Sequence, residues 1–187
     1  MRFRTLVLAG LLSLGLCAPS HAADVATQKV ENISIELPDD WQLLPKAMLE
    51  QLSQGKHDIL LLAQGPSEGF PKLSILKNPD PISQADFAKL DESRIDAMCK
   101  QFNGNVEQQF GKKVKGTCNK VENDGVGALA VQVAIPAQGK RPELVSITWN
   151  YPNAAHGVVV SAMFPKKDAG KYEAVIKKAC ESLKFIK

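Results

Sequence analysis

Three stretches in the second half of the chain alternate apolar and other residues without a break. They are Leu129, Val131, Val133 and Ile135, then Val145, Ile147, Trp149 and Tyr151, then Val158, Val160, Ala162 and Phe164. A period of two places successive side chains on opposite sides of a strand, so each stretch predicts a strand with one apolar face. Pro152-Asn153-Ala154-Ala155 separates the last two and is a hairpin connection. Such a set forms an antiparallel sheet, and its apolar face has to be covered by something else in the chain.

The rest of the sequence supplies more strands and the covering helices. Val30 to Leu37 is expected to be a strand with Ile33, Ile35 and Leu37 on one face. Pro38-Asp39-Asp40 then turns the chain into Trp41. Pro45 and Gly55 bracket a short helix over Lys46 to Gln54. Ile59 to Ala63 is continuously apolar, as in a strand buried on both faces, and a loop from Gly65 to Pro71 joins it to a strand over Lys72 to Leu76. Pro79 and Pro81 stop the sheet and Ser83 is a good helix N-cap. From Ala85 to Phe102 the residues Phe87, Leu90, Ile95, Met98 and Phe102 share one helical face, so one central helix is expected there, ended by Gly104. Lys115 to Glu122 reads as a strand followed by the turn Asn123-Asp124-Gly125. A last helix from about Asp168 carries Tyr172, Val175, Ile176, Ala179 and Leu183 on its apolar face. No repeat, low-complexity stretch or linker interrupts the chain. Its 187 residues suit one domain, and 44% hydrophobic content excludes wholesale disorder.

The N-terminus obeys a different logic. Arg2 and Arg4 precede an apolar run from Leu6 to Cys17, and Pro19 lies just beyond its end. This is the layout of a secretory signal peptide, too short for a membrane span. Cleavage after Ala22 puts the small residues Ser20 and Ala22 at −3 and −1, whereas cleavage after Ala23 puts His21 at −3. The expected division is a signal peptide over 1–22 and one domain over 23–187, exported to the periplasm. Leu16 before Cys17 argues against lipid modification, which wants a small residue there. No later run is long and apolar enough to span a bilayer. Losing Arg2 and Arg4 from 23 basic residues leaves 21 against 20 acidic ones, so nothing in the charge balance points to nucleic acid.

Cys99, Cys118 and Cys180 remain after processing, enough for one disulfide in an oxidising compartment. Cys99 lies at the edge of the central helix's apolar stripe and Cys118 in the next strand, so a bridge between them is sterically easy. Cys180, beside Ile176 and Leu183, suits a core thiol. Loop entropy does not choose, since a bridge from Cys118 to Cys180 gains only about 1 kcal/mol over the roughly 3 kcal/mol of the 99–118 loop. The requirement that paired Cα atoms lie within about 7 Å does, and Cys99–Cys118 is the expected pair. Cys99–Cys180 is the rival if both helices cover one sheet face.

Motifs that carry chemistry are few. Gly65-Pro66-Ser67-Glu68-Gly69 fits G-x-S-x-G, but a strand rather than the required helix comes after it. His57 and His156, with Met48, Met98, Met163 or Cys180, are the available ligands for zinc or copper, and no HxxxH or CxxC spacing supports a site. Lys112, Lys113 and Lys115 form a basic run. Lys166, Lys167, Lys171, Lys177, Lys178, Lys184 and Lys187 make the C-terminal region positive, which suits a solvated face or an anionic partner. The sequon Asn32-Ile33-Ser34 falls inside an expected strand. Phosphate- and dinucleotide-binding signatures are absent.

The segments ISIELPDDWQLL and KYEAVIKKACESLKF, with the central helix and long hairpins between them, resemble the PsbP-like fold across nearly all the mature chain. That group includes the photosystem extrinsic protein, a nuclear-import factor that binds a small GTPase, and bacterial envelope proteins such as DcrB. The resemblance implies an α+β class: an antiparallel sheet of about six strands covered by helices, in an α/β/α sandwich. It carries no catalytic signature, and its members' functions are unrelated, so fold alone does not supply one. The expectation is a non-enzymatic periplasmic accessory or binding protein without a cofactor, acting on an envelope protein or a small ligand. A metal-binding envelope protein is the alternative, and a secreted hydrolase comes third.

Overall fold

A computed structural model describes residues 24–53, 58–67, 69–78, 83–123, 125–152 and 157–186. In chain order the elements are β1 (Val25–Val30), β2 (Ile33–Pro38), β3 (Gln42–Leu43), α1 (Lys46–Leu52), β4 (Ile59–Ser67), β5 (Phe70–Asn78), α2 (Gln84–Ala88), α3 (Glu92–Phe110), β6 (Gly116–Asn123), β7 (Val126–Ile135), β8 (Leu144–Tyr151), β9 (Gly157–Pro165), α4 (Ala169–Glu181) and β10 (Lys184–Phe185), with a 3₁₀ turn over Lys166–Asp168 before α4. Seven strands form one antiparallel sheet in the order β3-β4-β5-β9-β8-β7-β6, and β1-β2-β10 form a second. The class is α+β as expected, with one strand more in the main sheet than the sequence suggested and a small sheet besides. No helix of the described residues is long and apolar enough to cross a membrane.

The alternation in β8 and β9 sends Val145, Ile147, Trp149, Val160, Ala162 and Phe164 to the inner face of the large sheet. There they meet Tyr172 and Ile176 of α4 and Ile33, Ile35 and Leu37 of β2. The C-terminal end of α4 is fixed to the sheet by polar contacts. The Asn123 amide donates to the carbonyls of Cys180 (3.2 Å) and Leu183 (2.7 Å), and the Tyr151 hydroxyl donates to Cys180 O (3.3 Å). They act beside the backbone bond from Leu183 N–H to Cys180 O (3.3 Å).

β7 faces the other way. Leu129 pairs with Asn150 and Val131 with Thr148, so the large residues of β7 lie on the outer face while Ala128 and Ala130 turn inward. With Ile95, Leu129 and Val131 form a separate outer cluster, against which Phe87, Leu90, Met98 and Phe102 pack. The layers are therefore α4 with the small sheet, the large sheet, and α2 with α3.

Local structure departs from the sequence reading in several places. The single helix from Ala85 is two helices. Ser83 Oγ accepts from Asp86 N–H (3.1 Å) to cap α2, and Asp91 Oδ1 accepts from Arg94 N–H (2.9 Å) to start α3. The apolar stripe keeps its face across the break, so its period hides it. Gly104 lies inside α3, which ends instead at Gly111, in the left-handed conformation (φ 65°) with its N–H on Glu107 O. The expected strand from Val30 is a hairpin, β1–β2, turning at Glu31 and Asn32, so the sequon asparagine sits in a turn. β4 is longer than Ile59–Ala63, and only Leu61 and Ala63 are buried while Leu60 and Leu62 are half-buried. Most of the Gly65–Pro71 loop is a continuation of β4 and β5. Gln54 and Gly55, the expected end of α1, and Asp124 of the β6–β7 turn lie outside the described residues.

Candidate functional site

α3 touches the sheet along two stripes. Cys99, Asn103 and Glu107 recur every four residues and face Cys118, Gly116 and Val114, which recur every two. Four helical residues advance about 6 Å and two extended residues about 6.6 Å, so the repeats stay in step while the chains run in opposite directions. Cys99 and Cys118 are joined by a disulfide, with Cα atoms 5.7 Å apart. Asn103 Oδ1 accepts from Gly116 N–H (3.0 Å), and its Nδ2 donates to Gly116 O (3.4 Å). Glu107 Oε1 accepts from Val114 N–H (2.9 Å). The carboxamide of Asn103 thus takes the place of a further strand along the free edge of β6, where bare N–H and C=O groups invite pairing with another chain. A Cβ at position 116 would lie 2.6 Å from Asn103 Oδ1, which is why glycine stands there.

The second stripe, Met98, Gln101, Phe102 and Asn105, borders a groove of about 350 Å³ between α3 and the outer face of β7, β8 and β9. Leu129, Val131 and Phe87 supply apolar wall, Cys118 brings the disulfide to its margin, and Thr148 and Asn150 lie on the sheet side. Its polar side chains are amides and a hydroxyl. Thr148 Oγ1 lies 3.2 Å from Ser161 Oγ, whereas the carboxamides of Gln101, Asn105 and Asn150 make no hydrogen bond within the described residues.

A larger concavity of about 680 Å³ between α1, β4 and the β1–β2 turn has a different character. Lys29, Glu31, Lys46, Glu50, Asp58 and Lys77 line it, and two ion pairs already engage four of these: Lys77–Glu31 at 2.7 Å and Lys46–Glu50 at 3.8 Å. It is an open, self-paired charged surface.

The chemistry-bearing candidates do not converge. Ser67 ends β4 and pairs with Phe70 of β5 in a hairpin, so no helix comes after the G-x-S-x-G segment; Glu68 lies outside the described residues. His57 and His156 also lie outside them. Met48 is exposed on α1, Met98 borders the outer groove, and Cys180 is sealed in the inner core. Among the described residues no three His, Cys, Asp or Glu side chains come together. Burial pushes the Cys180 thiol up to about 12, with Glu181 adding to the effect, so it is held as the neutral thiol. Burial likewise raises the Tyr151 phenol well above its ordinary value. Several basic residues have local partners: Lys112 donates to Ala137 O (3.0 Å), Lys166 pairs with Glu143 (2.8 Å) and Lys171 lies over the Tyr172 ring. Lys187 lies outside the described residues.

The groove residues Gln101, Asn105 and Asn150 and the edge-closing Asn103 carry no motif. The only trace in the sequence is the matched spacing of residues 99, 103 and 107 against 114, 116 and 118.

No family model matches the sequence, and no curated protein matches it by sequence. By structure the chain is similar to cyanobacterial PsbP from Synechocystis sp. PCC 6803, with a TM-score of 0.57 and 9% identity over 92% of this chain and 98% of that one. It is also similar to LpqN, involved in cell envelope biogenesis of Mycobacterium tuberculosis, with a TM-score of 0.51 and 14% identity over 89% of this chain and 88% of that one.

Proposed function

We propose that this chain of PsbP-like fold is an exported, non-enzymatic binding protein of a bacterial envelope, and that its ligand sits in the groove beside α3. The groove carries the reading. It is concave and mostly apolar, the amides of Gln101, Asn105 and Asn150, unengaged within the described residues, point to recognition, and its volume falls within the roughly 300–1,000 Å³ usual for small-ligand sites. Export is supported by the signal-peptide layout ahead of Ala23 and by a disulfide suited to an oxidising compartment. The structural similarity to LpqN, which is involved in cell envelope biogenesis, supports an envelope-related reading.

The test uses protein released from the periplasm by osmotic shock, whose N-terminus is expected to read Ala23. N-phenyl-1-naphthylamine, an uncharged dye that fluoresces in apolar surroundings, is titrated into it. Saturable binding is expected at one site, abolished by Thr148→Trp and by Asn150→Trp, which fill the groove from its half-buried sheet side. No saturable binding, or binding untouched by both substitutions in folded protein, overturns the assignment of the groove.

A further inference from the structure

Resting on the groove as the ligand site, we propose that its occupant is an uncharged amphiphile: an apolar body against α3 and β7, and a neutral hydrogen-bonding head held by carboxamides. The apolar part derives from the wall. Met98, Phe102, Leu129 and Val131 face one another across the gap, with Phe87 closing one side, and none of them offers a hydrogen bond. Leu129 and Val131 are buried in one cluster with Ile95, so the wall is part of a packed layer.

The neutral head derives from the polar groups set among the apolar ones. Every polar side chain that the described residues bring to the groove is an amide or the hydroxyl of Thr148; Tyr151 turns its phenol to the other face of the sheet, onto Cys180 O. Among the described residues no Lys, Arg, Asp or Glu lines it, in a chain where 23% of residues are charged and where the concavity beside α1 has six charged side chains in its wall. Lys120 lies over the ring of Phe87, but its ammonium donates to Ala88 O (3.5 Å) and does not line the groove. Gln101 and Asn105 are exposed at the rim and Asn150 is half-buried, so a charged head drawn in toward Asn150 loses part of its hydration and meets no counter-charge among the described residues. Carboxamides present both a donor and an acceptor, so Gln101, Asn105 and Asn150 can match a hydroxyl, ester or amide whichever way it is turned. They are free to do so, since none of the three has a partner within the described residues.

The deciding experiment displaces bound N-phenyl-1-naphthylamine with three molecules that share one chain and differ in the head: 1-octanol, octanoate and octylammonium, each below its aggregation limit at pH 7. Octanol is expected to displace the dye at a concentration severalfold below either ion, since a charge partly stripped of water without a partner weakens binding. Equal potency of octanoate or octylammonium overturns the proposal while leaving the groove a ligand site. Failure of the dye itself to bind is the separate failure of the groove assignment. In a second arm, Asn105→Leu combined with Asn150→Leu is expected to weaken octanol severalfold while the dye binds at least as well as before. An unchanged octanol value in that variant overturns the role of the carboxamides.

Discussion

On its inner side the large sheet presents Leu73, Ile75, Val160 and Phe164, all fully buried, to α4 and β2. On the outer side the same strands present Ser74, Ser161 and Thr148, which lie abreast across β5, β9 and β8. Thr148 and Ser161 share a hydrogen bond, and Ser74 Oγ donates to Ser161 O (3.4 Å). One side is a close-packed interior. The other is a half-solvated surface that α3 covers only over β6 and β7, and the groove is the margin of that partial cover. Stability and recognition are thus divided between the two faces of one sheet, joined by the disulfide and the Asn103 contact that fasten α3 along its far flank.

Removing a side chain from each face breaks or sustains this division most sharply. Phe164→Ala is expected to cost about 3–5 kcal/mol, because the transfer and cavity terms both apply in a closed core. Ser161→Ala, on the outer face beside Thr148, should cost no more than about 1 kcal/mol, the net worth of its hydrogen bond at a half-buried position. Urea unfolding of both variants measures this. A loss at Ser161 comparable with that at Phe164 would erase the contrast.

The next effect in size concerns the fastening. Replacing Cys99 and Cys118 together by serine releases a constraint of 19 residues' separation, worth about 3 kcal/mol in the unfolded chain. Because the bond ties only α3 to β6, hydrogen exchange should quicken first in α3, while β5, β9 and α4 keep their protection. Uniform loss of protection in all elements would mean that the outer layer is not a separable unit.

The smallest effect is a pH dependence confined to the inner core. Cys180 keeps its proton in the folded protein up to about 12, whereas in the unfolded chain it ionises near its ordinary value of 9.0. Between these limits the native state binds more protons, so stability is complete below about pH 9 and falls as pH rises, by up to about 1.4 kcal/mol per pH unit from this group. Tyr151, shifted in the same direction, acts with the same sign. Cys180→Ala should flatten the decline measured between pH 8.5 and 10 relative to the parent. An equally steep decline in the variant would remove Cys180 from the account.

Much of this architecture is legible in the chain. A period of two in β8 and β9, a 3.6 period in α4, and a cysteine placed on a helix stripe one strand away from another each reflect local geometry, and so the strands, the helix and the 99–118 bridge could be read from them. Where local signals were weak or shared, they were not enough. β3 and β10 have two residues each and no period to read. β1 alternates exposed and half-buried residues and reaches the core only through Val30, so its sequence carries little strand signal. The break between α2 and α3 rests on the Asp91 cap, which competes with an apolar stripe running straight across it.

Periodicity and residue placement along the chain establish the class of fold, the alternating faces of its strands and the cysteines able to meet. Which way each face points is set by how the strands pack together. Leu129, Val131 and Val133 alternate just as Val145, Ile147 and Trp149 do, yet the first set looks out to α3 and the second in to α4. A period of two fixes that a strand has two unlike faces, but which of them is inward depends on register with the neighbouring strand. The groove is decided at the same level. Gln101 and Asn105 are ordinary polar residues on a helix, and Thr148 and Asn150 ordinary polar residues on a strand, until register and the anchoring of α3 at β6 set them across one gap.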